Sequence, residues 1–279
     1  MDLTIVFSFL SLVLLLFLSC TRKWETLNYI TYSSGPVFIT NAEGLEISGQ
    51  VGKFSFPSRV STGNESFTIV NISFPNFGFC KFSIYPNSYV EFKEAYKYPR
   101  GEIYVEISDI FGIVLLKSNE CVLKYGGLTS KNSFLRLMKD IALHSYVEII
   151  EGSAKLGRKE IFAGAGILKG DQKTEQYSLN QAVELVLPLP GRFPKPLVFM
   201  WKRTDRSSKY FLEISDDKNF ETLTLIHETT SNTFFPEQIT LKLTSDVYFW
   251  RIWYKDRDGK GSFFSSPISF TIRTQRVVK

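Results

Sequence analysis

Residues 102–107 read Glu102-Ile103-Tyr104-Val105-Glu106-Ile107. Successive side chains of a strand point to opposite faces, so this spacing lines up Ile103, Val105 and Ile107 on one side and predicts a half-buried β-strand. Working outward, the same signal recurs between turn residues. Val37-Phe38-Ile39-Thr40 is followed by Asn41 and Gly44, Phe67 to Phe74 ends at Pro75-Asn76, and Phe79 to Tyr85 ends at Pro86-Asn87. Tyr89-Val90-Glu91-Phe92 and the apolar run Ile113 to Leu116 add two more strands. Short strands at regular spacing predict an all-β sandwich, barrel or roll. The composition agrees, with 25 Phe and 13 Tyr against 3 Met, because aromatic and β-branched residues suit pleated, half-buried surfaces.

A chain of 279 residues has room for two such domains. The strand pattern lapses into Lys169-Gly170-Asp171-Gln172-Lys173-Thr174-Glu175-Gln176, which predicts a linker over 169–182. Beyond it, Leu197 to Trp201, Tyr210 to Ser215, Val247 to Tyr254 and Pro267 to Ile272 predict a second β domain over 183–273, with 274–279 as a tail. Residues 133–143 fit two patterns. Phe134, Leu137, Met138 and Ile141 have helical spacing, while a turn at Lys139-Asp140 followed by Tyr146-Val147-Glu148-Ile149-Ile150 makes strand, turn and strand.

The first residues carry a different signal. Leu3 to Ser19 is almost wholly apolar and ends at Ser19-Cys20. It resembles a bacterial lipoprotein signal, a short apolar helix over 1–19, with Cys20 as the lipid acceptor and 20–29 as a tether. Phe17 and Leu18 are bulkier than the commonest residues before such a cysteine, so the resemblance is to the looser signals of spirochaetes. The other reading is an uncleaved anchor, for which this run is at the short limit. Cys80 and Cys121 then remain, either as a disulfide or as two buried thiols.

Residues 30–168 resemble the FecR-like domain of bacterial envelope proteins. The residues that carry this are Gly49-Gln50-Val51-Gly52, Val60-Ser61-Thr62-Gly63-Asn64-Glu65-Ser66, Pro86-Asn87-Ser88-Tyr89-Val90-Glu91-Phe92, Glu151-Gly152 and Ala163-Gly164-Ala165-Gly166. Lys131-Asn132-Ser133 departs from the family's Arg-Gly-Thr. The resemblance implies a β-roll or sandwich and favours strands over 133–150. Residues 183–272 look like a fibronectin type III or immunoglobulin-like sandwich, on Trp201, Tyr210 to Ser215 and Tyr248-Phe249-Trp250-Arg251-Ile252. Gly63 and Gly152 are expected at tight turns with positive φ, and Thr62 and Ser66 to bond the turn backbone.

The net charge of +5 is small and its Lys and Arg are interspersed with Asp and Glu, which excludes the basic stripe of a nucleic-acid binder. No metal or cofactor site is expected: His144 and His227 are far apart and no CxxC spacing occurs. Asp256-Arg257-Asp258-Gly259-Lys260-Gly261 lacks the terminal Glu of a calcium loop and reads as a hairpin turn. Glu102, Glu106 and Glu148 read as solvated faces, and no catalytic motif is present. In the second domain Tyr248, Trp250 and Ile252 are expected inward, so Phe249, Arg251 and Trp253 point outward, beside Phe211 and Glu213. That outer aromatic face is the candidate partner-binding surface, for an envelope protein or glycan, unless it packs on the first domain. The whole implies a non-catalytic binding or scaffolding protein of the bacterial envelope, held to the membrane by lipid and facing the periplasm or the cell surface. The alternatives are a FecR-like sensor component, or a glycan-acting enzyme.

Overall fold

The computed structural model describes residues 27–41, 43–48, 51–74, 78–97, 102–170, 173–193, 197–235 and 247–272. The apolar run Leu3 to Ser19, Cys20, the Gly49-Gln50 and Pro75-Asn76 signals and the tail 274–279 lie outside the described residues. Within them the chain is all β, and no helix is long and apolar enough to cross a membrane.

The first unit is one continuous 15-stranded sheet that folds around a single core. Its organising element is the strand Ile103–Asn119, 17 residues long. The two runs expected as separate strands are the two halves of this one. Its first half pairs with Tyr89–Lys97 and, in parallel, with Cys121–Tyr125; its second half pairs with Gly78–Ile84 and Leu128–Lys139. The changeover falls at Gly112, which has φ +75 and lies so close to Ser88 that a Cβ there would collide with Ser88 Oγ. Only glycine tolerates both that backbone and that approach. A strand that bends from one layer to the other closes a sheet into a sandwich-like roll.

Alternation then sorts the side chains. Ile103, Val105, Ile107, Val114 and Leu116 enter the core with Leu135, Leu137, Val147 and Ile149. Leu115, Met138 and Tyr146, on the opposite face, form part of a separate buried cluster. Residues 133–150 are strand, turn and strand: Leu128–Lys139 pairs with Ser145–Leu156. Cys80 and Cys121 are joined by a disulfide, with Cα atoms 5.8 Å apart.

Three expectations need correction here. The stretch expected as a linker contains a strand, Thr174–Ser178, paired with Ala165–Lys169 at the edge of the first sheet. Its polar residues are exposed because it is an edge, not because the chain has left the fold. The chain passes to the second unit after Ser178, and Asn180 is already tied to it by bonds to Gly261 and Phe263. Secondly, Gly152 does have positive φ, but inside the strand Ser145–Leu156 where its pairing with Leu128–Lys139 shifts register; it serves a bulge rather than a turn. Thirdly, Gly63 has no positive φ; it is crowded by Pro36 and Ser66 instead. Thr62 bonds Ser88 across the structure, and Ser66 Oγ makes no hydrogen bond.

The second unit is a β-sandwich. Leu185–Leu187, Phe199–Trp201 and Thr233–Phe234 make one sheet; Arg192–Phe193, Ile268–Ile272, Tyr248–Asp256, Ser207–Ser215 and Leu225–Thr229 make the other, in that order. Phe199 of the first sheet meets Trp250 and Phe270 of the second edge-on, with centroids 5.2 and 5.3 Å away. Trp201, Tyr210, Leu212, Tyr248 and Ile252 complete this core. Asp256–Gly261 is a hairpin turn, with Asp256 Oδ1 accepting from the backbone N–H groups of Asp258 and Lys260.

Candidate functional site

The outer faces of the two units meet, and the residues singled out as a partner surface lie between them. Period two decides which side chains take part. In the first unit Phe134, Arg136 and Met138 alternate with the core residues Leu135 and Leu137, and Tyr146, Glu148 and Ile150 alternate with Val147 and Ile149. Strand register sets Arg136 directly opposite Glu148. In the second unit Phe211 faces Trp253 and Glu213 faces Arg251 on neighbouring strands. Each face therefore carries one cross-strand Arg–Glu pair set among aromatic rings.

Trp250 points into the sandwich core and Trp253 out of it. Yet Phe211, Glu213 and Trp253 are buried and Phe249 is half-buried, because the first unit covers them. This corrects the reading of Phe211, Phe249, Arg251 and Trp253 as a free partner surface. The outward aromatic face has its partner within the same chain. Trp253 stacks on Phe211 with centroids 4.1 Å apart.

The contacts across the junction are specific. Arg136 is fully buried, donates from Nε to Glu148 at 2.6 Å and from Nη2 to the carbonyl of Ser262 at 2.7 Å, and its guanidinium lies 3.8 Å from the Trp253 ring centre. Glu148 Oε1 accepts from the Gly261 N–H at 2.6 Å and from the Tyr177 hydroxyl at 2.8 Å. A Cβ on Gly261 would collide with Arg136 Nη2, so the backbone reaches the ion pair only because that residue is glycine. The turn Asp256–Gly261 thus serves as the second unit's docking loop. The expectation that Glu148 is solvated fails: it is fully buried and compensated by three partners, Arg136, Tyr177 and Gly261.

A second polar knot lies alongside. Arg251 donates from Nε to Glu213 at 2.7 Å while its guanidinium rests 3.9 Å from the Phe264 ring centre and 4.1 Å from that of Phe220. Tyr85 of the first unit donates its hydroxyl to Glu213, and Trp253 Nε1 donates to that same hydroxyl at 3.3 Å. Burial pushes the Glu213 carboxyl above its usual range, against the pull of Arg251. Burial and the neighbouring Glu148 raise Tyr177. At the rim, Glu221 of the second unit takes Lys81 at 2.6 Å and also Lys117, both from the first. Burial acts upward on Glu221, but the two lysines hold it below the usual carboxylate range.

Chemically, this arrangement fastens the two units together. Glu148 and Glu213 are both buried and both committed to arginines. A glycosidic pair needs one carboxyl at each side of an accessible bond. Among the described residues no three His, Cys, Asp or Glu side chains converge as a metal site. A polar cleft of about 450 Å³ opens at the mouth of the junction between Tyr177, Asn180, Arg206 and the Asp256–Lys260 turn. Glu102 is exposed, and Glu106 is half-buried and paired with Lys93 at 2.8 Å.

No protein-family model matches the chain, and no curated protein matches its sequence. Among solved structures, a β-1,2-glucanase from Parabacteroides distasonis aligns with a TM-score of 0.30 and 12% identity, over 90% of this chain and 37% of its own. The extracellular domain of a one-component system from B. thetaiotaomicron aligns with a TM-score of 0.24 and 13% identity, over 85% of this chain and 37% of its own. The chain spans well under half the length of either, and a likeness this slight assigns neither activity nor ligand.

Proposed function

We propose that this is a lipid-anchored protein of the bacterial envelope whose role is non-catalytic, holding or spacing a partner at the membrane. The observation that carries the reading is the junction itself. Two β units share a buried face with two Arg–Glu pairs and a stacked Trp253–Phe211 at its centre. Such a face makes the pair move as one block, which suits a spacer better than a hinge. The Cys80–Cys121 bond supports an oxidising compartment, and the apolar run ending in Ser19-Cys20 supports lipid as the anchor. The resemblance of residues 30–168 to FecR-like domains is in keeping with an envelope location.

The test is palmitate labelling with membrane fractionation of the wild type and Cys20→Ala. Label and membrane association should both be lost in the variant. Equal label in the two, or an intact mass that retains Met1 unmodified, would overturn the anchor. Crosslinking in cells tests the role: a discrete crosslinked partner is expected, and only monomer at every crosslinker length would count against a scaffold.

A further inference from the structure

Away from the junction, the open end of the first unit holds a pocket of about 290 Å³. Its wall is mainly apolar: Tyr125, Leu128, Val147, Leu156 and Ile167 line it, all but Leu156 buried, with Ser108 and Ser145 among them. The wall is built by geometry already described. The strands Cys121–Tyr125, Leu128–Lys139, Ser145–Leu156 and Ala165–Lys169 are consecutive in the sheet, and the sheet curls so that their ends stand around a space which no side chain of the described residues fills. Leu143 stands at the rim, 62% exposed, in the turn after Lys139.

The rim is cationic. Lys139 and Lys169 both line the pocket, but they are not equivalent. Lys139 is neutralised by Asp109 at 2.6 Å. Lys169 donates to the carbonyl of Gly126 at 3.0 Å, and among the described residues no carboxylate lies within ion-pair distance of it. Among the described residues, then, Lys169 is the rim cation without a carboxylate partner, above a mainly apolar wall.

The geometry points to a binding site for a small monoanionic amphiphile, a carboxylate with a short acyl chain, its chain against Leu128, Leu156 and Ile167 and its head at Lys169. Three features select that class. The volume is at the lower end of ligand pockets, which excludes large cofactors and extended polymers. Beside the two lysines the lining is mainly apolar, with hydroxyls at Ser108, Ser145 and Tyr125, and its larger apolar share favours a hydrocarbon over a sugar. Among the described residues one ammonium lacks a carboxylate, which matches one anionic charge, whereas a phosphate dianion would leave a charge unpaired near an apolar surface.

The test uses octanoate as probe on the purified full chain, by calorimetric titration. One octanoate per chain is expected, with n-octanol at least about tenfold weaker because it lacks the charge. Lys169→Gln, at an exposed position, should weaken octanoate at least about tenfold and leave octanol unchanged. Leu156→Trp should fill the pocket and abolish binding of both, with melting temperature checked alongside; if that variant fails to fold, Lys169→Gln decides alone. Absence of saturable octanoate binding, equal affinity for octanol, or an unchanged octanoate affinity in Lys169→Gln would overturn the assignment.

Discussion

Replacing Glu148 by leucine removes the anion at the centre of the junction and leaves its partners in place. Arg136 stays fully buried with its charge uncompensated, and the Tyr177 hydroxyl and Gly261 N–H lose their acceptor. Breaking a buried pair from one side costs about 4 kcal/mol, which for a chain of this size lowers the melting temperature by roughly 8–16 °C. Arg136→Met should cost a similar amount, since it strands Glu148 and the Ser262 carbonyl. The double variant separates a charge effect from a packing effect. With both charges gone, the cost should be about 5 kcal/mol rather than the additive 8, a coupling of about 3 kcal/mol. What remains is the unpaired Tyr177, Gly261 and Ser262 groups and the lost contact of Arg136 with Trp253. The assay is urea unfolding followed by far-ultraviolet circular dichroism, which reads both units, and by tryptophan fluorescence, since Trp201, Trp250 and Trp253 all lie in the second. Because the pair belongs to the first unit and the docking loop to the second, both probes should shift together. Additive costs within about 0.5 kcal/mol, or a Glu148→Leu cost below about 1 kcal/mol, would refute the argument that this pair fastens the units.

Trp253→Ala should destabilise by about 3–5 kcal/mol, because the ring is fully buried between Phe211 and Arg136; a nearly unchanged melting temperature would mean that the face is open in solution. Glu221 gives the junction a pH dependence of known sign. Its folded carboxyl lies below the usual range, so its contribution is present above that range and is lost as pH falls through the lowered value. Wild type should therefore melt above Glu221→Gln at neutral pH, and the gap should narrow as pH falls below the usual carboxylate range; a gap that widens in acid would show the sign to be wrong.

Much of this was legible in the sequence. Alternation from Glu102 to Ile107 and from Tyr248 to Ile252 fixes strand identity and the inward residues without any tertiary information, because the period of a strand is two in every context. The sequence likewise determined that Trp250 and Trp253 take opposite faces. What alternation leaves open is what each outer face meets. Glu148 looks solvated on its own strand, since burial of a charge depends on a partner that lies elsewhere in the chain. A hairpin centred on Lys139-Asp140 would set Arg136 opposite Leu143; the real turn pairs Lys139 with Ser145 and so brings Arg136 to Glu148. A shift of a few residues in one turn decides whether the two charges meet. Only the tertiary structure placed the Gly261 backbone over that pair and the first unit over Trp253. Such contacts join residues more than a hundred positions apart in sequence, and local periodicity carries no record of them.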